Sequence, residues 1–339
     1  MLSDSRFQIP RFTLALFVFP AFAIAAAQQP DAARWYKGNT HTHTLNSDGD
    51  STPDDVVRWY RERRYHFVVI TDHEHVTDVS ALNTLHGADG RFVVIPGQEV
   101  TDRFDGKALH VNALGVSEVV QPRGGGSAVD VLQRNIDAVR AAGGVPHVNH
   151  PNFLWSLAAG DLAALDNVRL FELYNGHPQT NPLGGGGSPD AEGLWDEVLS
   201  SGRMLYGVAV DDSHTFKDPW NQAMALPGRG WVMVRAARLD AREIVEAMDR
   251  GDFYASTGVT LEDYQATRES MTVAVAATTW SKYRIQFIGR GGRLLHESPD
   301  AKATYTFAGD EGYVRARVLE SNGRMAWTQP VVVGKNTRW

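Results

Sequence analysis

Between residues 35 and 259 short apolar runs alternate with stretches of helical periodicity, which is the pattern of repeated β then α units. Strands are expected over 35–43, 67–71, 92–95, 109–114, 145–149, 170–174 and 205–210. Helices fill the gaps. Thr52-Pro53-Asp54-Asp55 opens one with a side-chain cap, a proline at the first helical position and acids at the positive end, and Val56, Val57 and Tyr60 form its apolar stripe. A second, over 129–142, carries Val131, Leu132, Ile136 and Val139 and stops at Gly143-Gly144; a third spans 191–199. After residue 262 the period drops to two: Met271, Val273 and Val275, then Tyr283, Ile285 and Phe287, then Val314, Ala316 and Val318. With turns at Gly291-Gly292 and Asn322-Gly323, residues 262–339 are expected to form a small antiparallel β-sandwich whose role is packing.

Composition narrows the function. The chain of 339 residues has 14 Phe, 9 Trp and 10 Tyr, too much buryable surface for a disordered protein. A formal net charge of -7 speaks against a nucleic-acid coat or a polybasic membrane binder, so no stable nucleic-acid partner is expected. There is no cysteine, which removes disulfides, thiolate nucleophiles and thiolate metal sites together. At the start, Arg6 and Arg11 precede an apolar run over 12–24, then Ala25-Ala26-Ala27 and a polar segment. That order is a secretory signal peptide over 1–27, cleaved after Ala27, leaving a periplasmic or secreted protein with no membrane anchor.

The chemistry sits at the ends of the apolar runs, where an α/β sheet or barrel builds its active site. His41-Thr42-His43 ends the first run, and residues two apart on a strand share a face, so both imidazoles can reach one ion. Asp48, Thr71-Asp72-His73, Glu99, His110, His147 to His150 and Asp211 to His214 end or open others. Asp212 and His214 share a face, whereas Asp211 points away and is structural. A spacing of three separates His147 from His150, so one of them binds and His150 is taken as that one. Asp72 is read as a carboxylate that orients a neighbouring ligand.

The set His41-x-His43, Asp48, Thr71-Asp72-His73, Glu99, His110, His150-Pro151 and Asp212-x-His214 closely resembles the PHP family, named for polymerase and histidinol phosphatase domains. The likeness covers about residues 35–259 and implies an α/β fold, a distorted seven-stranded (β/α)7 barrel expected over 35–261, holding two or three divalent metal ions. Residues 251–258 and 326–330 resemble the exported carbaryl-hydrolase-like branch. Carried over residue by residue, the resemblance implies one metal on His41, His43, Glu99 and Asp212, a second on Glu99, His110 and His150, and a third on Asp48, His73 and His214. Nitrogen and oxygen ligands suit zinc, manganese or iron.

The implied activity is that of an exported metal-dependent hydrolase of a small-molecule substrate, a phosphoesterase first, attacking with a metal-bridging hydroxide. Asp212 and His214 are the expected catalytic metal ligands, and His75, two residues after His73, is the candidate proton donor. Arg103 and Lys107, between Glu99 and His110, are the candidate substrate-binding cations. Trp155, Tyr174, Trp220 and Phe253 would line an aromatic pocket for a bulkier substrate. The first alternative is a carboxylic ester, amide or carbamate hydrolase using the same metals. The second is a non-catalytic metal-binding or surface-interaction protein.

Overall fold

The computed structural model describes residue 1 and residues 33–334, so the expected leader at 1–27 lies outside the described residues except for Met1. Residues 33–334 fall in one compact unit. No helix among the described residues is long and apolar enough to cross a membrane.

Strands β1 (Arg34–Asn39), β2 (Phe67–Ile70) and β3 (Val93–Phe104) are parallel neighbours. β4 (Lys107–Leu114) turns back antiparallel on β3, and β5 (Val145–Val148) is antiparallel to β4. β6 (Leu170–Asn175) and β7 (Tyr206–Val210) then continue in parallel with β5. Past β7 the chain meets the end of β1: the Asp212 amide donates to the His41 carbonyl at 3.0 Å and the His43 amide to the Ser213 carbonyl at 2.9 Å. These bonds bring the first and last strand ends of this part together.

The connecting helices follow the caps and stripes of the sequence. α1 (Pro53–Glu62) has its first turn closed by the Thr52 side chain, which accepts from the Asp55 amide at 3.2 Å, and buries Val56, Val57 and Tyr60. α2 (Ser80–His86) precedes β3, and α3 (Ala128–Ala141), capped by Ser127, buries Val131, Leu132, Ile136 and Val139. α4 (Ala159–Ala163) leads to β6, and α5 (Ala191–Ser200) is capped by Asp190. The alternation expected from sequence breaks between β3 and β4 and again after β7, where the next element is a strand at 231–236. Between β3 and β4 there is no helix but a hairpin, turned by Asp105 (φ 49°) and Gly106 (φ 77°). An Asp-Gly pair fits that turn because both central residues need positive φ.

After β7 the sheet grows outward from β1. β8 (Trp231–Ala236) pairs antiparallel with β1, and β9 (Phe253–Ser256), reached through α6 (Ala241–Arg250), pairs with β8. The remaining strands are β10 (Leu261–Ala266), β11 (Ser270–Val275), β12 (Tyr283–Gly289), β13 (Arg293–Ser298), β14 (Lys302–Thr306), β15 (Gly312–Glu320), β16 (Met325–Thr328) and β17 (Val331–Val333). β16 bonds to β9, β15 to β16, and β12 to β15, so one sheet runs from β13 through β1 to β7. β10, β11 and β14 form a separate three-stranded sheet. Met271, Val273 and Val275 pack with Ile285, Phe287, Val314, Ala316 and Val318 in one buried cluster, the residues whose alternation marks this region in the sequence.

Polar contacts fasten the C-terminal strands to α5 and β7. Arg315 is 1 % exposed; its Nε and Nη2 donate to Asp196 at 2.8 and 2.6 Å and Nη1 reaches Glu192 at 2.7 Å. The Gln329 side chain clamps the Gly207 backbone, accepting from its amide at 2.9 Å and donating to its carbonyl at 3.0 Å.

Candidate metal centre

β1 ends at Asn39, four residues before the second imidazole of the expected strand. The Asn39 side-chain amide donates to the His41 carbonyl at 2.8 Å and to the Tyr60 hydroxyl oxygen at 2.9 Å, and the chain continues as irregular backbone into the site. His41 and His43 are fully buried with rings 5.1 Å apart. Asp72 accepts from the Thr44 amide (2.7 Å), the Thr44 hydroxyl (2.8 Å) and the Ser47 hydroxyl (2.8 Å), fixing the loop that carries Asp48. Asp211 faces away, accepting from Tyr60 and from the Arg229 and Gly230 amides. The adjacent Asp212 has φ 49°, a left-handed conformation uncommon in a residue with a side chain and found where a site imposes it.

Glu99 is the hub. Its Oε2 lies 3.0 Å from His41 Nε2, 3.2 Å from His43 Nε2 and 3.4 Å from His73 Nδ1, and its Oε1 lies 2.8 Å from His110 Nδ1 and 3.4 Å from His150 Nε2. Asp212 Oδ1 is 3.3 Å from both His41 Nε2 and His43 Nε2. Asp48, half exposed, reaches His43 (3.3 Å), His214 (3.4 Å) and His73 (3.6 Å), while the His214 ring stacks 4.1 Å from that of His43. The nine residues singled out as ligands thus meet in one cluster. Within it, donor atoms lie within 4.8 Å of one another in three groups: His41-His43-Asp212, His43-Asp48-His73-His214, and His73-Glu99-His110.

One bond shows what the cluster is built to hold. His41 Nδ1 is 2.6 Å from Glu172 Oε1, and an ionised carboxylate only accepts, so Nδ1 carries the proton. In the neutral ring Nε2 is then a lone pair aimed at two carboxylates, an arrangement that needs a cation. Burial works against charge on His41, yet Asp212, Glu99 and Glu172 raise its pKa well above the ordinary 6.5. A cation between these groups, a proton or a divalent metal ion, would relieve the carboxylate repulsion. His43 behaves alike: its buried Nε2 lies 3.2 Å from Glu99 and 3.3 Å from Asp212, and these carboxylates outweigh burial to lift its pKa to about 9. The imidazoles in turn overcome burial at Glu99 and Asp212 and hold both carboxyls well below their usual range. An all-nitrogen-and-oxygen set in this arrangement fits divalent zinc, manganese or iron.

With this geometry in place, solved structures can be compared. A two-domain protein from Bacteroides vulgatus containing a predicted PHP-like metal-dependent phosphoesterase superimposes with a TM-score of 0.51 at 16% identity, over 90% of this chain and 98% of that one. The chain has the fold of that two-domain PHP-like protein. Two further structures match more loosely: a putative metal-dependent phosphoesterase from Bifidobacterium adolescentis (TM-score 0.38, 17% identity, 52% of this chain and 87% of that one) and an amidohydrolase from Chromobacterium violaceum with bound sulfate and no metal (0.40, 14%, 53% and 88%). No family model and no curated protein matches the sequence.

In this PHP-like fold the cleft over the cluster has a volume of about 220 Å³ and is lined by cluster residues together with Phe153, His177, Gln179 and Thr180. The structure does not bring His75, Arg103 or Lys107 to its wall. All three are exposed. Arg103 shares the Glu99 face of β3 but stands four residues further along an extended strand, roughly 13 Å away, and Lys107, opposite Phe104 in the hairpin, falls on the other face. Nor do the four aromatics form one wall. Phe253 is in the core, Tyr174 stacks on Trp327, and Trp155, at the end of a short 3-10 turn, and Trp220, on a loop, are exposed. His147 lies beneath the cluster, fully buried, its pKa lowered to about 4 chiefly by burial.

Other residues of the site escape the sequence reading. Glu172, fully buried, accepts from His41, from the His150 amide (2.7 Å) and from Asn175 (2.7 Å), and Asn175 also donates to Asp212 at 3.0 Å. Its signal was available, since a carboxylate in the middle of the apolar run Leu170-Phe171-Glu172-Leu173 is costly unless it has partners. Asn149 donates to Glu99 at 2.8 Å and Thr101 bonds His73 at 2.6 Å. His177 Nδ1 accepts from the Gln179 amide at 3.2 Å, which leaves the proton of the neutral ring on Nε2.

Proposed function

We propose that the chain is a metal-dependent hydrolase and that a phosphoester is its favoured substrate. The observation that carries this reading is the His41 imidazole, held by Glu172 so that its other nitrogen faces Glu99 and Asp212. Two or three divalent ions, zinc, manganese or iron, would supply an acidified water and positive charge toward the substrate oxygens. His41, His43, Glu99 and Asp212 would hold one, Glu99, His110 and His150 another, and Asp48, His73 and His214 a third. The donor-atom grouping divides the ligands differently, placing His73 with both Asp48 and Glu99, and on distance alone His73 can serve either neighbour.

The remaining work belongs to the chain's own side chains. Thr101 and Glu172 fix the rings of His73 and His41, and Asn149 and Asn175 hold the carboxylates of Glu99 and Asp212. Phe153 keeps one wall of the cleft apolar. His177, with a proton on Nε2 and its ring 5.4 Å from that of His214, is placed to donate to a leaving-group oxygen, the role assigned to His75 on spacing. A barrel over 35–261 would carry the chemistry and a β-sandwich over 262–339 would brace it. Export through cleavage after Ala27 completes the proposal; the mass of the protein recovered from the periplasm tests it.

A second reading, a carboxylic ester, amide or carbamate hydrolase, is favoured by one feature. Among the described residues no lysine or arginine lines the cleft, as a phosphate clamp would require. Hydrolysis rates on an aryl phosphate, an aryl phosphodiester and an aryl methylcarbamate, with the protein loaded separately with zinc and manganese, decide between them. Metal-dependent phosphate or diester turnover that is lost in Asp212→Asn is the expected result. Carbamate turnover with inert phosphates would replace it by the second reading, and failure on all three would leave a metal-binding protein without this activity.

A further inference from the structure

Several of the large apolar side chains left in water follow cleft-lining residues within the same segments of the chain. Of twelve such residues among those described, six lie on segments leaving the strand ends at the cluster: Leu45, Leu154, Trp155, Leu183, Trp220 and Met224. Leu45 sits between His43 and Asp48. Leu154 and Trp155 directly follow Phe153, and Leu183 comes three residues after Thr180, both of them cleft-lining residues. Trp220 and Met224 belong to a loop pinched at its base, where the His214 and Thr215 amides both donate to the Ala225 carbonyl at 3.0 Å.

These segments are braced. Arg229 donates to the Gly176 carbonyl and to the Gln222 carbonyl, both at 2.8 Å, tying the Trp220 loop to the segment that enters His177. Asn152 donates to the Asn181 and Pro189 carbonyls, tying the Trp155 turn to the Leu183 loop. Leu154 and Trp155 both have φ 52°, a conformation unfavourable for bulky residues and retained where the surroundings impose it. Trp220 is 88 % and Leu183 71 % exposed, so neither serves a core. The cleft itself is small and, apart from Phe153, polar. It suits a reacting head group and has no room for a long apolar one. An apolar border spread over four separate loops fits an extended chain better than a single ring.

We propose that this border is the apolar half of the substrate site. The substrate is an amphiphile whose scissile ester enters the cleft while a long alkyl or acyl chain lies across Leu45, Trp155, Leu183 and Trp220. The inference rests on the hydrolase reading of the cluster and names its class of substrate.

Two parallel series test it on the metal-loaded protein. Methyl, butyl and octyl p-nitrophenyl phosphodiesters, below their micelle concentrations, report turnover, and methyl-, butyl- and octylphosphonate report binding by calorimetry. Both kcat/KM and affinity should rise about twofold per methylene, half the full-burial value because the border covers one side of the chain. In Trp220→Ser with Leu183→Ser the octyl-to-methyl ratio, read within the same protein, should fall toward one. Trp280→Ser and Leu85→Ser, exposed apolar positions elsewhere, should keep the native ratio. Faster turnover of the octyl ester in phosphatidylcholine vesicles would place the amphiphile in a lipid surface, and faster turnover of the monomer would make it a soluble one. Equal rates and affinities for methyl and octyl compounds, or a ratio unchanged by the Trp220 and Leu183 substitutions, would overturn the proposal. Chain-dependent phosphonate binding without hydrolysis of any ester would keep the border and remove the hydrolase reading.

Discussion

At Glu172 one carboxylate fixes several others' positions at once: it holds the proton of His41 on Nδ1, accepts the His150 amide, and through Asn175 reaches Asp212. Glu172→Gln keeps the shape but can no longer only accept, so the His41 tautomer is released. Metal affinity measured by calorimetry should fall about 10- to 100-fold while the far-ultraviolet circular dichroism stays native. An unchanged affinity would mean that the 2.6 Å bond is incidental. His43 makes a second prediction for the metal-free protein. Its pKa is raised to about 9 by Asp212 and Glu99, which outweigh burial, so the folded state holds this proton more tightly than the unfolded chain. The contribution is complete below pH 6.5 and is lost as the pH rises through about 9, a change of up to about 3 kcal/mol for a group buried this fully. The melting temperature of metal-free protein should therefore drop across that window, and metal-loaded protein, in which the ion replaces the proton, should show a much smaller drop. A parallel decline in both would contradict the assignment.

Elements explain what was legible in the sequence and what was not. Helix α1 is readable because its cap, its proline and its apolar stripe are local signals, and they lie where Thr52, Pro53 and Val56 put them. The strand-end rule gathers His41, His43, Glu99 and Asp212 because β1, β3 and β7 share one direction through the sheet, whereas His110 lies mid-strand on antiparallel β4 and meets Glu99 from across the hairpin. The rule misjudges Arg103 and Lys107 by treating the β3–β4 segment as another β-to-α connection, whereas Asp105-Gly106 turns it into a hairpin that carries both residues past the cleft. The run around Glu172 shows that its carboxylate needs partners but not that they are His41 and the His150 amide on two other segments. Pairings across elements are likewise invisible in sequence, and Arg315 on β15 is the clearest. Buried against Asp196 and Glu192 of α5, it leaves the Asp196 carboxylate without its cation when removed, while Glu192 keeps Arg317. Arg315→Ala should cost about 3–5 kcal/mol in urea unfolding. A loss below about 1 kcal/mol, the range of surface pairs, would show that the network is solvated.

The whole molecule depends on a sheet that is continuous from β13 to β7. The hydrogen bonds between β9 and β16 cross the border drawn at residue 261 from the change of period, and Gln329 grips the backbone of β7. A protein ending at residue 261 would expose the β9 edge and the apolar faces of Tyr254 and Val259, so it should be insoluble or lack a cooperative thermal transition. A soluble, cooperatively melting fragment would instead make the C-terminal strands an independent unit. The central claim is that nine residues from distant parts of the chain form one centre for more than one divalent ion. Equilibrium metal content measures it most directly, read by mass spectrometry on native protein and on Asp212→Asn after exposure to zinc or manganese and removal of the excess. The account predicts about two to three ions per native chain, and at least one fewer with Asp212→Asn. A native chain that retains none, or a substituted chain that retains as many as the native one, would contradict it.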